Sequence, residues 1–390
     1  MSDTAPALRL DRYAPLGGLL GFLGVAMAYF MGGADFWKSY AYGWIFAAGL
    51  VLGSLALVIL HNTIRATWTL SILRIAEAIS SPTSILVLFL GWLPIALNLK
   101  QVYLWADPEH VKGDHILEAK AFFLNPTMFI GCSIAYFVFF AAISGYLRRS
   151  SLRQDENQNV NEAQARANVA SPSLLFFVIV CTFALTHWVM SLEPHWFSTV
   201  YGLLSLVGQT NCIVAIGTII LCANANREPY KGIVNSKLTK DLGNILFATT
   251  MVWAYLTLSQ FLITWSGNLP EEIPYYKVRA ELGWNILGTI LIIGRFFIPF
   301  FALLASRTKR SVRGVMIVAC WIVGMHLFDV FWLVVPSFER GGLFASMRFS
   351  DLFALVGMCG FLLAAFAYET KKGALVPTHD NRLREQHGHA

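Results

Sequence analysis

A histidine and an aspartate stand three residues apart inside an apolar segment, in the stretch "GMHLFDVFW" that contains His326 and Asp329. On a helix this spacing places both side chains on one face, about 5–6 Å apart at Cβ. An imidazole can donate to and accept from a quinone oxygen, and beside a carboxylate it can pass protons. The pair therefore predicts a proton relay or a quinone-associated site, with a structural helix-to-helix hydrogen bond as the alternative.

Four further ionisable residues lie in or beside apolar segments: His187, Arg295, Glu77 and His61. A charge at the centre of a membrane span costs about 2.5–3.5 kcal/mol on insertion scales, so such residues are usually paired. Arg295, in "IIGRFFIPF", is expected to need a carboxylate, a cluster of carbonyls or water. His187 is expected at the depth of the His–Asp pair, in one polar cluster with it. Glu77 and His61 are candidates for a second path at the opposite side, or simply residues of the head-group layer.

The cysteines and histidines indicate which cofactors the chain can hold. All six cysteines lie in apolar runs and none forms C-x-x-C: Cys132, Cys181, Cys212, Cys222, Cys320 and Cys359. This excludes a disulfide framework and the ligand spacings of zinc, iron–sulfur and c-type haem sites. The three histidines near spans fall on different segments, which disfavours a bis-histidine b-type haem. The chain is predicted to bind no metal or redox cofactor and to contain no catalytic residue of its own.

The composition indicates a membrane protein. Of 390 residues, 56% are hydrophobic and 13% are charged, with a mean hydropathy of +0.58. Soluble domains carry about a quarter charged residues. The start, "MSDTAPALRLDRYAP", lacks a cleavable signal pattern, so the first apolar run is expected to be a retained span.

Ten apolar runs are long enough to cross a bilayer, which takes about 20 residues. They are 14–32, 40–61, 82–99, 121–147, 173–190, 199–222, 242–266, 282–305, 314–336 and 349–369. The predicted fold is an all-α polytopic membrane domain over 14–369. The stretch "RATWTLSILRIAEAIS" before the third run is expected to be an amphipathic interface helix, or part of a kinked span. The polar stretch "RRSSLRQDENQNVNEAQARANVASPS" is expected to be a solvated loop.

The distribution of positive charge predicts the orientation. Of the 29 Lys and Arg residues, 20 fall in the two ends and the loops after spans two, four, six and eight, and 8 in the remaining loops. Positive residues accumulate on the cytoplasmic side. Residues 1–13 and 370–390 are thus predicted to be cytoplasmic, in a bacterial inner membrane. The net charge of +6 then reflects membrane topology, so no nucleic-acid partner is expected.

Two short outer turns combine proline, aromatic and acidic residues. "W-A-D-P-E-H" after span three and "W-S-G-N-L-P-E-E-I-P" after span seven also form a faint repeat, four spans apart. An even offset keeps orientation, which predicts two parallel four-helix bundles, spans 2–5 (40–190) and 6–9 (199–336), with spans 1 and 10 peripheral. A third outer turn, "LEPHW" after span five, has the same character. The turns around Glu193 to Trp196 and Pro270 to Pro274 are expected to dock an extracytoplasmic partner, or to anchor the interface through their aromatic side chains. The proposed docking residues are Glu193, His195, Trp196, Glu271 and Glu272.

Three blocks with intact spacing, "VMSLEPHWFSTVYG", "SQFLITWSGNLPEEIPYY" and "HLFDVFWLVVP", resemble the ActF-type membrane subunits of alternative complex III. These belong to the wider NrfD/polysulfide-reductase membrane-subunit family, and the resemblance runs through all ten spans. It implies a cofactor-free subunit of a quinol:electron-acceptor (quinol:cytochrome c) oxidoreductase complex, with a quinone-associated site or a proton-conducting path. It also implies lipid and quinone as small partners, a sister NrfD-like subunit, and iron–sulfur and c-type cytochrome subunits that carry the clusters and haem c.

A second class of function fits ten spans with parallel repeats: a stand-alone secondary transporter. Transporters usually show Gly- or Pro-broken helices at matching positions in both halves. Under the four-span offset Pro94 has no counterpart in span seven, and Pro299 and Pro126 lie near opposite ends of their spans. The membrane-subunit reading is therefore favoured.

Overall fold

The computed structural model describes residues 8–65 and 67–377, and within them it contains helices and turns but no strand. The helices are α1 Ala14–Gly32, α2 Phe36–Ile64, α3 Leu70–Ile79, α4 Pro82–Leu97, α5 Pro108–Val111, α6 His115–Lys120, α7 Pro126–Asn157, α8 Val160–Trp188, α9 Tyr201–Ala223, α10 Ser236–Gly267, α11 Ile273–Ala280, α12 Trp284–Leu291, α13 Ile298–Leu304, α14 Ser306–Arg310, α15 Val312–Val334, α16 Leu343–Ser346 and α17 Phe349–Glu369. A π-helix, Ile292–Phe297, joins α12 to α13. Short 3₁₀ turns are Leu10–Tyr13, Gly33–Asp35, Leu99–Gln101, Leu104–Ala106, Met190–Leu192, Val335–Phe338 and Thr370–Lys372.

Nine stretches within the described residues are long and apolar enough to cross a membrane. They are Leu10–Ile64, Leu70–Leu97, Pro126–Asn157, Asn161–Leu192, Tyr201–Ala223, Ser236–Gly267, Trp284–Leu304, Val312–Phe338 and Phe349–Lys372. Because a backbone in lipid must satisfy its own hydrogen bonds, such helices are the form that spans take. The prediction of an all-α, multi-pass membrane protein is confirmed at this level.

The first of these stretches contains two antiparallel helices. A Cβ on Gly17 would meet Ala364 at 2.5 Å and one on Gly24 would meet Gly357 at 2.5 Å, so α1 runs antiparallel to α17. The hydroxyl groups of Ser39 and Ser350 are 2.9 Å apart, and a Cβ on Gly43 would meet Ala354, so α2 runs parallel to α17. The chain therefore reverses direction at the 3₁₀ turn between α1 and α2.

These directions define two faces of the molecule. We call the face where α1 begins and α17 ends the terminal face, since the 3₁₀ turn before α1 packs against the end of α17. We call the opposite face the distal face. It carries α5, α6, α11 and α16 and the turns around them.

Helix contacts form two closed rings. In one ring α2 contacts α4, α4 contacts α7, α7 contacts α8, and α8 contacts α2. In the other, α9 contacts α10, α10 contacts α13, α13 contacts α15, and α15 contacts α9. The rings touch mainly through α2 and α9, while α1 and α17 pack beside α2.

Helix α3 is buried, which corrects the expectation of an interface helix. Residues Leu70 to Ala78 are all buried, including Arg74 and Glu77. The helix ends at Ser80, and α4 begins after the N-cap Ser81, whose hydroxyl accepts from the Ser84 amide. The buried ion pair of Arg74 with Glu77 explains how this polar helix tolerates its surroundings. Together α3 and α4 form one apolar stretch, Leu70–Leu97, which of the two predicted forms corresponds to the kinked span.

The polar stretch after Leu147 is helical, so the prediction of a solvated loop is wrong. Helix α7 continues to Asn157 and α8 begins at Val160, with Gln158 in the left-handed conformation at the turn. The stretch is rich in Arg, Gln, Glu and Ala, which favour helices. Its polar residues pair across the hairpin: the Arg166 guanidinium donates to Gln154 Oε1 at 2.6 Å.

Two predicted terminal segments lie partly outside the described residues. Of the segment 1–13 the structure describes 8–13, where Leu8 N donates to Glu228 O. Of the segment 370–390 it describes 370–377. The fourth span, predicted from residue 121, begins at Pro126, because Asn125 caps that helix by accepting from the Met128 amide.

Candidate functional site

The second ring encloses a cluster of buried polar side chains, which we call the central cluster: Gln209, Arg295, His326 and Asp329. Gln209 comes from α9, Arg295 from the π-helix, and His326 and Asp329 from α15. Arg295 and His326 are 3% and 1% exposed, and Asp329 is 5% exposed. The structure thus brings together three of the residues that the sequence singled out.

The π-helix presents Arg295 to the interior. π-bulges occur mostly as single turns inside helices, often at functional sites. Here the bulge directs Arg295 towards α9 and α15, where a carboxylate, an imidazole and a carbonyl receive it. The predicted need of this guanidinium for a carboxylate is therefore met.

The hydrogen bonds of the cluster determine the tautomer of His326. Arg295 Nη1 lies 2.9 Å from His326 Nδ1, and a guanidinium can only donate. Nδ1 must then accept, which leaves the proton on Nε2. His326 Nε2 accordingly donates to Gln209 Oε1 at 2.8 Å. The imidazole is neutral in this arrangement.

Asp329 balances the charge of Arg295. Its Oδ2 lies 3.4 Å from Arg295 Nη2 and 3.9 Å from His326 Nδ1. The ring of Trp253 on α10 lies 4.7 Å from the guanidinium carbon of Arg295. The Arg295–Asp329 ion pair and the neutral side chains of His326 and Gln209 together carry no net charge. This lowers the free energy needed to bury the cluster among apolar helices.

A small cavity adjoins the cluster between the two rings. It has a volume of about 20 Å³, and its lining includes Tyr201, Ser205 and Gln209 on α9, with Trp44 and Trp188 on the other side. A buried water needs roughly 10–15 Å³ and two to four polar partners. The three α9 side chains recur every four residues on one face, so the cavity can hold one water on the distal side of Gln209.

A layer of aromatic and charged groups closes the distal end of this region. Trp196 stacks on Tyr275 at 3.9 Å and contacts Tyr201 edge-on at 5.5 Å. The Arg279 guanidinium lies 3.5 Å from the Tyr275 ring and donates to Glu193 Oε1 at 2.7 Å. The same Glu193 oxygen accepts from Ser337, so this turn is tied to α11 and to the end of α15.

His187 lies outside the central cluster, and the expectation that it joins His326 is wrong. Its Nδ1 is 2.9 Å from the Tyr136 hydroxyl, and its ring stacks on Phe123 at 4.1 Å. Helix α8, which carries it, belongs to the first ring. That ring is filled by aromatic side chains such as Trp92, so His187 is a buried polar member of an aromatic core.

Glu77 and His61 belong to buried polar contacts towards the terminal face. Glu77 accepts from Arg74 at 2.9 Å, and Arg74 also donates to the Ser151 carbonyl and pairs with Asp155. His61 hydrogen-bonds with Thr69. Both side chains are buried within the protein, at 2% and 5% exposed.

The five residues proposed for docking differ in exposure. Glu271 is exposed, and His195 is exposed with its Nε2 2.6 Å from Asp114 Oδ2. That hydrogen bond lowers the pKa of Asp114. Trp196 and Glu272 are only 4% and 8% exposed, so their side chains stabilise the distal face instead of presenting a surface. Glu193 is mostly enclosed by Arg279.

The described residues offer no evident metal site. Among residues 8–65 and 67–377, no three His, Cys, Asp or Glu side chains are grouped so that they could hold a metal ion. The six cysteines are free thiols at separate positions.

Two residues of this region, Gln209 and Arg279, were not predicted from the sequence. Gln209 is uncharged and is 117 positions from its partner His326. Arg279 follows "NLPEEIPYY" and is only 3% exposed. A signal for Gln209 was present, because an amide inside the apolar run 199–222 also costs free energy unless it is hydrogen-bonded.

The chain was compared with known proteins by sequence. No protein-family model matches it, and a search of curated proteins found no match.

Proposed function

We propose that this chain is a cofactor-free membrane subunit of a quinol-oxidising electron-transfer complex of the alternative complex III type. The observation that carries the proposal is the central cluster. An arginine, an aspartate and a histidine are buried together inside apolar helices, and ionisable groups in such positions mark proton or substrate paths. Electrons pass through iron–sulfur and c-type haem groups of partner subunits, and this chain contributes a proton path or a quinone-associated site.

Asp329 is the proton-accepting member of the cluster. Arg295 stays protonated, and His326 has its Nδ1 lone pair engaged and its Nε2 proton donated to Gln209. A carboxylate has about four acceptor positions, and the contact of Asp329 with Arg295 occupies only part of them. The distal entrance of this path is the water-sized cavity, which is lined by the polar side chains of Tyr201, Ser205 and Gln209. Gln209 in turn hydrogen-bonds to His326 of the central cluster.

The proposed topology has ten spans, with four-helix bundles formed by spans 2–5 and 6–9. The two rings of helix contacts support it, because each ring closes in the same order with a four-span offset. Spans 1 and 10 correspond to α1 and α17, which pack together beside α2. The excess of Lys and Arg at the terminal face supports a cytoplasmic location of that face, in a bacterial inner membrane.

Partner docking belongs to the distal face in this proposal. The exposed side chains of His195 and Glu271 are the candidates for contact with a cluster- or haem-bearing subunit. The Glu193–Arg279 ion pair holds the two turns rigidly, which lowers the entropy that docking would otherwise cost. A sister NrfD-like subunit would cover part of the exposed apolar helix surface.

The alternative function is a stand-alone secondary transporter, and one observation favours it. Span three is interrupted between α3 and α4, and span eight contains the π-helix. Discontinuous spans of this kind are typical of transporters. In parallel repeats four spans apart, however, these two interruptions do not correspond. Purification of the native protein separates the two functions, since a subunit brings haem- and cluster-bearing partners with it.

The decisive experiment replaces Asp329 in the assembled complex. Asp329→Asn keeps shape and hydrogen bonding, so the complex should assemble, but an amide cannot accept a proton near neutral pH. We expect quinol-dependent turnover or proton release to fall at least about tenfold. Asp329→Leu should impair assembly, because it leaves Arg295 buried without its counter-charge.

The matched control is Asp351→Asn. Asp351 is also a buried aspartate paired with an arginine, since Arg340 Nη1 lies 2.7 Å from its Oδ2, but it lies at the start of α17. This variant should lose stability and keep turnover per assembled complex. Wild-type turnover and proton release in Asp329→Asn would show that the cluster only holds helices together.

A further inference from the structure

A crevice on the lipid-facing side of the molecule lies between α4 and α7. It is formed by Pro82 of α4 and by one stripe of α7, which includes Ala142, Gly145, Arg149 and Arg153. Its volume is about 750 Å³, within the range of about 300–1,000 Å³ typical of small-molecule sites. The crevice opens at the terminal face. Its position follows from the neighbouring Arg148, which pairs with Glu369 in the last turn of α17, where that helix ends.

The floor of the crevice is apolar and continues into the membrane. Gly145 leaves a trench beside Pro82, since a Cβ there would contact only the Pro82 ring, at 3.5 Å. Beyond it, exposed apolar side chains follow both helices: Leu86 and Leu90 on α4, and Ile134 and Val138 on α7. A trench lined by small and aliphatic residues suits an extended hydrocarbon chain.

The mouth of the crevice carries a positive charge without a partner. Within the described part of the chain, the exposed Arg149 makes no hydrogen bond or ion pair, whereas its neighbour Arg148 is fully engaged. Arg153 is 60% exposed, with Nη2 3.9 Å from Glu162. Glu156 completes the rim. A guanidinium fork at this depth matches the geometry of a phosphate.

We propose that this crevice binds one phosphatidylglycerol-class lipid, with the phosphate on Arg149 and Arg153 and an acyl chain in the trench. Basic pockets between spans on the cytoplasmic side recognise anionic head groups. Glycerol hydroxyls of the head group can donate to Glu156, which a head group without hydroxyls cannot do. The proposal does not depend on quinol chemistry, so it stands or fails separately from the proposed function.

The experiment uses the full chain in nanodiscs that contain a photoactivatable phosphatidylglycerol, or a phosphatidylcholine carrying the same label. After illumination, mass spectrometry measures the labelled fraction of residues 82–93 and 134–156. With Arg149→Gln and Arg153→Gln together, labelling by phosphatidylglycerol should fall at least about tenfold, since each arginine near the surface is worth about fivefold. Arg307→Gln with Arg310→Gln, at exposed positions of α14 on the same face, should leave it unchanged.

Gly145→Leu tests the trench while both arginines remain. It should reduce labelling by phosphatidylglycerol, and thermal unfolding in detergent verifies that each variant is folded. Equal labelling of the wild type by phosphatidylcholine would overturn the proposal. An equal loss of labelling in the α14 control would also overturn it, because the effect would then come from general surface charge. Wild-type labelling of a folded Gly145→Leu variant would overturn it as well.

Discussion

Arginine residues organise both polar regions of the second bundle, and each acts as a donor only. In the central cluster Arg295 fixes the tautomer of His326 by occupying Nδ1. At the distal face Arg279 donates hydrogen bonds to Glu193 and to the carbonyl oxygens of Tyr275 and Leu333. A lysine could replace neither, because its ammonium is a point charge without the planar fork.

We expect Arg279→Lys to destabilise the protein by about 2–3 kcal/mol, through the loss of charge-assisted hydrogen bonds that one ammonium cannot replace. The loss should appear as a lower thermal unfolding midpoint of the purified protein in detergent. Lys277→Arg, at an exposed position of the same helix, is the control and should leave the midpoint unchanged. Equal midpoints for both variants would contradict the role given to Arg279.

At the scale of elements, close helix approach depends on individual glycines. In α1, a Cβ on Gly24 would lie 2.5 Å from the Gly357 amide nitrogen, whereas nothing lies within 4 Å of one on Gly18. Gly24→Ala should therefore separate α1 from α17 and cost about 1–3 kcal/mol. Gly18→Ala should change stability by no more than about 1 kcal/mol. Thermal unfolding of the two variants compares them directly, and equal stabilities would refute the close packing.

The short helix α6 is held by Asp114 in two ways. Its Oδ1 caps the helix by accepting from the amides of Ile116 and Leu117, and its Oδ2 hydrogen-bonds to His195. The hydrogen bond to His195 lowers the pKa of Asp114 below its ordinary value. The stabilisation is therefore complete above the ordinary pKa of an aspartate, about 3.9, and is lost as the pH falls through the lower folded value.

We accordingly expect hydrogen exchange of residues 115–120, corrected for its intrinsic pH dependence, to accelerate as the solution is acidified below about pH 4. Asp114→Asn keeps the cap, because Asn caps as well as Asp, but removes the titrating group. Its exchange should then be insensitive to pH across the same interval. Acceleration in both proteins would assign the effect to another group.

The sequence predicted the apolar helices well and the polar contacts poorly, for physical reasons. A run of about 20 apolar residues is a local property, so most spans were placed within a few residues. The burial of α3 and the helical start of α8 were missed, because their charges are neutralised by partners distant in sequence, such as Asp155 for Arg74. Arg295 and Asp329 were recognisable as costly in lipid. The partners that neutralise and hydrogen-bond these two side chains depend on how the helices pack, which the local sequence does not specify.

At the scale of the whole molecule, orientation can be tested with reporters. A reporter at the C-terminus, or inserted after Glu228 in a turn of the terminal face, should read cytoplasmic, and one inserted after Asn268 should read extracytoplasmic. Asn268 ends α10 in the left-handed conformation, so an insertion there interrupts no helix. An insertion after Arg153 would break α7 and is unsuitable. The opposite pattern of labelling would overturn the proposed orientation, and labelling of all three sites from one side would exclude the ten-span topology.

The contact between α1 and α17 joins the first and the last of the long apolar helices in the described part of the chain. Gly17 lies against Gly360, so nearly the whole chain is synthesised between the two partners. At about 5–20 residues per second, this takes roughly 20–70 s. During that time α1 has only α2 as a neighbour, and its glycine face remains in lipid. Release of α17 from the ribosome therefore fills this glycine face, and a chain truncated before Phe349 would leave it as an open groove.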